Sequence, residues 1–402
     1  MRIVQVGTDR LPIPPRFGGA YETYIYGISR MLVKMGHDIH VISFDTGEKE
    51  FEEEGIIFHT FSLRSHFARL SSQVLGAIDE PNRNVPFVNA KIIKILRQIS
   101  KRYGPIDIIH AHLLATSLAP IIFRRSCSPK TKLVFHWHNE PARRRMKRPI
   151  NIWIAREYDV HCSVSNYVKR KLIEYSRIDP SKTTIIYNAV DTEIFKYSED
   201  FRNEMRCNLG LGDNSYTILY IGRIIPEKGL HHLILALSYL ARCKWKFRLL
   251  IVGPKGHYEK EEQGYYQYVE RLIDMLKLQE YVSYLGRVKK EDLPKLYSAS
   301  DIVVVPSLFQ DPCPTVVLEA MACGRPVIAY NVGGIPEIIQ NGVTGYIVPK
   351  GDIEALYKMI MKCLEEHCHE RIGPNARERV EKYFSYSAVC GKLVQLYQRL
   401  LS

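Results

Sequence analysis

The stretch that decides the reading is Val305-Pro-Ser-Leu-Phe-Gln-Asp311-Pro-Cys-Pro-Thr315-Val-Val-Leu-Glu319-Ala-Met-Ala-Cys-Gly324. A β-branched run ending at Val305 gives way to a Pro-rich turn, then to an apolar stretch that stops at a glycine, the pattern of a strand–loop–helix unit. Asp311 falls in the turn. Pro314 suits the first helical position, where a missing N–H costs nothing. Cys313, Thr315 and Val316 then line the helix start, with the amides of Thr315 and Val316 lacking intrahelical acceptors and so open to an anion. Glu319 lies about one turn further, so both carboxylates can face the same ligand. A capping aspartate and a surface glutamate would give the same spacing.

Outward from this stretch, short β-branched runs alternate with amphipathic helices through both halves of the 402-residue chain, as in parallel sheets covered by helices. The first half reads as strands at Arg2 to Val6, Asp38 to Phe44, Asp107 to His112, Lys132 to His138, His161 to Val164 and Thr184 to Tyr187. The second reads as strands at Tyr216 to Ile221, Phe247 to Val252, Val282 to Leu285, Asp301 to Val305, Pro326 to Ala329 and Gly345 to Val348. The expected fold class is therefore α/β, with two doubly wound parallel-sheet domains, 1–190 and 191–384, joined through a polar stretch from Asn188 to Asn214. Val389, Leu393, Leu396 and Leu400 mark a terminal helix that closes no further unit; about residues 385–402 are expected to pack back on the first domain. Open sheets of this kind bind ligands beyond the carboxyl ends of their strands, so two of them predict a cleft with one substrate per domain.

Two further loops fall at such strand ends. After Gly7, a Pro-rich segment runs into Gly18-Gly19 and a helix from Ala20 to about Met35. Paired glycines there let an anion approach backbone amides, although a plain turn needs no more, and the spacing is not Gly-x-Gly-x-x-Gly. In the second half, Ile221-Gly-Arg223 continues through Pro226 to Lys228-Gly229, which puts two cations where they can straddle a diphosphate, or leaves two ordinary loop cations.

These loops form a train that resembles family 4 of the retaining glycosyltransferases: Gly18-Gly19, Gly36-His37, Val164-Ser165, Asn188-Ala-Val-Asp191 with Phe195, Gly222-Arg223 with Lys228-Gly229, Asp301 with Pro306-Ser307, and Asp311 through Gly345. The Pro-rich start and the Asp-Pro-Cys-Pro and His-Asn-Glu variants are similar to its spore-coat-protein-SA-like, polysaccharide-building branch. The resemblance implies the GT-B architecture, two Rossmann-like domains facing a central cleft, with the acceptor on the N-terminal side and a UDP- or GDP-sugar held by the C-terminal domain. It implies that Arg223 and Lys228 bind the donor diphosphate, that Glu319 contacts the ribose, that Asp311 lies against the donor sugar, that His138 reaches the sugar, and that Gly18 and Gly19 close over the phosphates. In this chain Asp311 replaces the family's glutamate and Pro314 its glycine. The implied activity is hexosyl transfer to a glycan or lipid-linked acceptor in cell-surface polysaccharide or glycoconjugate synthesis. A non-catalytic binding protein of the same fold and a GT-B phosphorylase or epimerase stand as alternatives.

Composition limits the rest. With 46% hydrophobic and 25% charged residues the chain is that of a globular protein, and no run reaches the ~18 apolar residues of a spanning helix. Met1 to Gly7 lacks secretory-signal features, so a cytoplasmic protein is expected, with peripheral contact at the inner face of the membrane. Nine cysteines without a Cys-x-x-Cys pair suggest reduced thiols. Cys363, His367, Cys368 and His369 read as one solvated helix face. No cofactor and no metal are expected, and no Asp-x-Asp occurs. The alternating pairs His110/His112 and His136/His138 each share a strand face. The net charge of +13 is concentrated: residues 101–150 hold eleven Lys and Arg against Asp107 and Glu140. Its densest part, Arg143, Arg144, Arg145, Lys147 and Arg148, fits an anionic acceptor or membrane surface, or an ordinary solvated loop. Nucleic acid is excluded as a partner because no aromatic platform interleaves these cations.

Overall fold

The computed structural model describes residues 1–8, 11–16, 18–45, 47, 49–62, 85–212, 215–254 and 260–402. Asp213 and Asn214, the end of the stretch read as the interdomain boundary, lie outside these residues. The chain forms two compact units, Met1–Asn188 with Tyr386–Ser402, and Ala189–Ser385.

The first unit is built on an eight-stranded sheet: β1 (Arg2–Val6), β2 (Asp38–Phe44), β3 (Glu50–Glu53), β4 (Ile56–Phe61), β5 (Ile108–Ala111), β6 (Lys132–Trp137), β7 (Val160–Ser163) and β8 (Thr183–Ile185). Their order is β3-β4-β2-β1-β5-β6-β7-β8, parallel throughout except β3 against β4. Apart from the edge strand β3, the strands are largely buried on both faces, as in a sheet with helices on either side, which is why they read as continuous rather than alternating runs. The order reverses between β1 and β5, so the carboxyl ends of those strands form the switch point where ligands bind in such sheets.

The β3–β4 hairpin is absent from the sequence reading. Glu50-Phe-Glu-Glu carries too little apolar residue to look like a strand, yet an exposed edge strand favours charge. Glu54 and Gly55, both at positive φ (52° and 75°), make the two-residue turn that joins it to β4.

Helix Tyr386–Leu401 belongs to this unit and buries Val389, Cys390, Leu393, Leu396 and Tyr397, of which the valine and the leucines are each worth about 1.5–3 kcal/mol if fully withdrawn from water. It lies along helix Ala20–Lys34, where the Tyr386 hydroxyl donates to Thr23 O at 3.2 Å and the Cys390 thiol to Ile28 O at 3.6 Å.

The second unit is a six-stranded parallel sheet: β9 (Tyr216–Ile221), β10 (Phe247–Val252), β11 (Val282–Gly286), β12 (Ile302–Val305), β13 (Val327–Tyr330) and β14 (Tyr346–Val348), in the order β11-β10-β9-β12-β13-β14. Its switch point lies between β9 and β12. Asp301 stitches these two strands at their amino ends, accepting from Thr217 N at 2.7 Å and from Arg202 Nη2 at 2.7 Å.

Two local expectations change. Pro314, with φ −68° and ψ 123°, is the N-cap of helix Thr315–Ala322 rather than its first residue: its ring-fixed φ would suit a helix, but its ψ is extended. Cys363, His367, Cys368 and His369 do not share a helix: helix Ile353–Glu365 ends, His367 turns the chain at φ 46°, and Cys368–Tyr383 begins a second helix. Cys363 and Cys368 are buried there instead of lying on a solvated face.

Candidate active site

In the second unit the loops after β9 and β12 lie on each other. Gly229 adopts φ 69°, and a Cβ there would strike the carbonyl of Pro306, so only glycine allows this approach. Leu308 N donates to Glu227 O at 2.7 Å and locks the two loops together. Lys228 is thereby aimed at the β12 loop: its Nζ donates to Asp311 Oδ2 at 2.9 Å and stands 4.6 Å from the centre of the Phe309 ring.

Asp311 is buried and held from behind. Gly334 N donates to its carbonyl at 2.8 Å, and a Cβ on Gly333, which sits at φ 55°, would lie 2.7 Å from Asp311 C and 2.8 Å from Asp311 N. Any side chain at 333 would push Asp311 out of place. Gln310 Oε1 fixes the same turn by accepting from Gly333 N at 2.6 Å.

Helix Thr315–Ala322 starts immediately beyond, and no side chain caps it. The amides of Thr315 and Val316 occupy its first turn, so the partial positive charge of the helix end remains available to an anion. Cys313, just before this turn, is buried. Glu319 accepts from the Tyr297 hydroxyl at 2.9 Å, and burial raises its carboxyl above the usual range while that bond pulls it back. Arg223 lies exposed on the loop after β9, where its carbonyl accepts from the Tyr220 hydroxyl at 3.1 Å. The second unit therefore brings together Lys228, Asp311 and an uncapped helix start, with Glu319 one turn inward.

The first unit carries the other expected residues. Gly18 (φ 80°) and Gly19 (φ 110°) lead into helix Ala20–Lys34, with Gly19 as its N-cap. The buried Glu22 carboxylate, which accepts from the Thr8 hydroxyl, already lies against Gly19. His138 follows β6 and is buried between the rings of Tyr21 and Tyr24, 4.8 and 5.0 Å away. Its Nε2 lies 3.0 Å from Nδ1 of His112, and burial lowers its pKa to about 3, against the opposing bond to Asn188. It is a neutral imidazole, suited to hydrogen bonding rather than to charge.

Arg143, Arg144, Arg145, Lys147 and Arg148 are all exposed around the one-turn helix Arg143–Met146, whose Met146 is buried and anchors it. The Arg143 guanidinium lies 5.9 Å from the Tyr175 ring centre, and Tyr167 and Tyr175 both donate to Glu140.

Sequence reasoning missed the Lys228–Asp311 pair, Tyr297 behind Glu319, and Tyr24 beside His138. No local pattern could give the first, since its partners are 83 residues apart.

Two family models match, each to one half of the chain: Glycosyltransferase Family 4 over residues 17–194 and Glycosyl transferases group 1 over residues 201–379. Spore coat protein SA of Bacillus subtilis is 26% identical over 99% of this chain and 100% of its own. The lipopolysaccharide 1,2-N-acetylglucosaminetransferase of Salmonella typhimurium is 25% identical, with 96% of each covered. Among solved structures, a glycosyltransferase from Rickettsia africae aligns with a TM-score of 0.79 at 24% identity over 100% of this chain and 99% of that one. HepE of Anabaena, solved with UDP, aligns at 0.76 and 22% identity, over 99% and 100%. Two Rossmann-like sheets with these matches make the fold GT-B, and the chain belongs to the family 4 and group 1 glycosyltransferases.

Proposed function

We propose that the protein transfers a sugar from a nucleoside diphosphate sugar to a glycan or lipid-linked acceptor with retention at the anomeric carbon. The observation that supports this best is the Lys228–Asp311 pair beside an uncapped helix start: a cation, a carboxylate and free amides at one switch point. As the bond to the leaving diphosphate lengthens, negative charge grows on phosphate and positive charge on the sugar ring. Lys228, Arg223 and the Thr315 and Val316 amides stabilise the first, acting where charge develops. Asp311 faces the second. Glu319, its hydroxyl partner Tyr297 fixing its rotamer, accepts from a ribose hydroxyl. The acceptor's proton passes to the departing phosphate on the same face, with no protein nucleophile. Two cations and a helix end neutralise the diphosphate without a metal ion at that place.

A polysaccharide or glycolipid pathway is the setting this reading favours, supported by the likeness to a lipopolysaccharide 1,2-N-acetylglucosaminetransferase. The arginine loop after β6 binds the acceptor's anionic carrier or the membrane that holds it, which makes the protein peripheral at the inner face. Among the described residues no helix is long and apolar enough to cross a membrane.

The test is a panel of UDP-, GDP- and ADP-sugars scored by nucleoside diphosphate release and by thermal shift. At ~100 times its dissociation constant the right donor adds about 2.7 kcal/mol of stability. If no donor shifts the transition or releases diphosphate, the reading is overturned; sugar phosphate formed from a glycan and inorganic phosphate instead would make the enzyme a phosphorylase.

A further inference from the structure

In the first unit, β5 and β6 pair in parallel with His110 opposite Val134, so the register sets His112 beside His136 and gathers His110, His112, His136 and His138 on one sheet face. All four are buried, with ring centres of neighbours 4.4–5.7 Å apart. One nitrogen from each of His110, His112 and His136 lies within 4.8 Å of the others.

The hydrogen bonds decide which nitrogens face inward. His136 Nε2 lies 3.1 Å from the carbonyl of Ile186, which only accepts, so Nε2 carries the proton. Its Nδ1 is then a bare lone pair, and it is buried with no hydrogen-bond partner. His112 Nε2 lies 2.8 Å from Gln5 Oε1, which again accepts, so Nδ1 keeps its lone pair and meets His138 Nε2 at 3.0 Å. His110 Nδ1 lies 2.6 Å from the Tyr397 hydroxyl, and its Nε2 is buried without a partner. Each ring thus has one nitrogen tied to an oxygen; the other is unpartnered in His110 and His136 and meets His138 in His112. Metal-ligating histidines are held in this way: an oxygen on the far nitrogen fixes tautomer and ring orientation.

We propose that His110, His112 and His136 form a binding site for a zinc-class divalent cation, with Tyr397, Gln5 and Ile186 as the oxygens that orient them. The ligand set is all imidazole, which favours Zn²⁺ and its borderline neighbours over Mg²⁺ or Ca²⁺. Zn–N bonds of about 2.0–2.1 Å in tetrahedral geometry need nitrogens about 3.3 Å apart, so the nitrogens, now within 4.8 Å of one another, close on the ion and the near-parallel rings turn their edges towards it. Water or the Tyr24 hydroxyl, also buried without a partner, takes the fourth position. Burial holds His110, His112 and His136 in the neutral form that a metal requires. The ion takes the His112 lone pair that now faces His138 Nε2, so loading releases His138 from its neighbour. All three ligands belong to the first unit, and the proposal does not depend on the transfer reaction proposed above.

The full-length protein, stripped with a chelator, is titrated with Co²⁺ and Zn²⁺. The expected result is one tight equivalent, visible d–d absorption of four-coordinate Co²⁺ displaced by Zn²⁺, and a metal-dependent rise in Tm. His110→Gln and His136→Gln each lose at least 100-fold in affinity, while His367→Ala, at the helix break of the second unit, does not. X-ray absorption of the zinc-loaded native protein reads the imidazole ligands without any variant and so holds even if a variant fails to fold. Absence of a tight equivalent, or a zinc shell with fewer than three imidazoles, overturns the site and leaves a metal-free histidine stack.

Discussion

Lys228 Nζ donates to Asp311 Oδ2 at 2.9 Å across 83 residues of sequence, so the cation assigned to the donor diphosphate is already paired with the carboxylate assigned to the donor sugar. Before a diphosphate can use Lys228, it must compete with Asp311. A half-buried pair of this kind is worth up to about 1 kcal/mol, or about a 5-fold effect on an incoming anion. Asp311→Asn is therefore expected to bind the preferred nucleoside diphosphate a few-fold more tightly by calorimetry at low salt, and to transfer sugar at least ~100-fold more slowly. Weaker diphosphate binding in this variant would show that Asp311 positions Lys228 rather than opposing it.

The arginine loop can be separated from the donor site. Each basic side chain near an anionic surface contributes about 1 kcal/mol. Reversal of Arg143, Arg144 and Arg145 to glutamate is expected to lower partitioning onto vesicles rich in anionic lipid by at least ~100-fold, with unchanged nucleotide binding. Equal partitioning of both proteins would confine this loop to a solvated role.

Asp301 belongs to the run of residues that carries the family resemblance, yet its work is structural. It binds Thr217 N and Arg202, and lies 3.8 Å from the buried Arg206, whose guanidinium also donates to Gly212 O at 2.7 Å and Ser215 O at 2.9 Å. Asp301→Ala leaves a buried guanidinium without its counter-charge and is expected to cost about 3–5 kcal/mol by urea unfolding. Correctly folded Asp301→Asn, which keeps the shape, should retain donor affinity.

His161 gives a pH dependence with a definite sign. Its Nε2–H donates to Ala155 O at 2.9 Å and its Nδ1 accepts from Trp137 Nε1 at 3.1 Å, so protonation breaks the tryptophan bond. Burial lowers its pKa to about 4, below the ~6.5 of an unfolded chain. The unfolded state therefore binds the proton first, and the stabilisation is complete above pH ~6.5 and lost as pH falls towards 4, at about 1.4 kcal/mol per pH unit. His161→Gln should flatten this part of the stability–pH curve; an unchanged curve would assign the titration to other groups.

Legibility in the sequence followed range. Strands such as Arg2–Val6 and Phe247–Val252, and the loops carrying Arg223, Lys228 and Asp311, were readable because apolar runs and glycine or proline stops are local signals. The edge strand Glu50–Glu53 was not, because exposure selects glutamate where burial would select valine. His367 turned a helix without the glycine that normally announces such a turn. Alternation showed that His110 and His112 share a face, but only the register of β5 on β6 shows which histidines of the next strand they meet. Contacts made by register and loop packing have no signature in a single sequence.

Helix Tyr386–Leu401 has a consequence for how the molecule is made. Synthesis proceeds from the amino end, so every residue of Ala189–Ser385 leaves the ribosome before the helix that completes the first unit. Until then helix Ala20–Lys34 lacks the apolar face it packs on, and His110 lacks Tyr397. The unit that begins first is finished second, and a truncation at residue 385 removes part of the opposite half of the protein from the one where the cut is made.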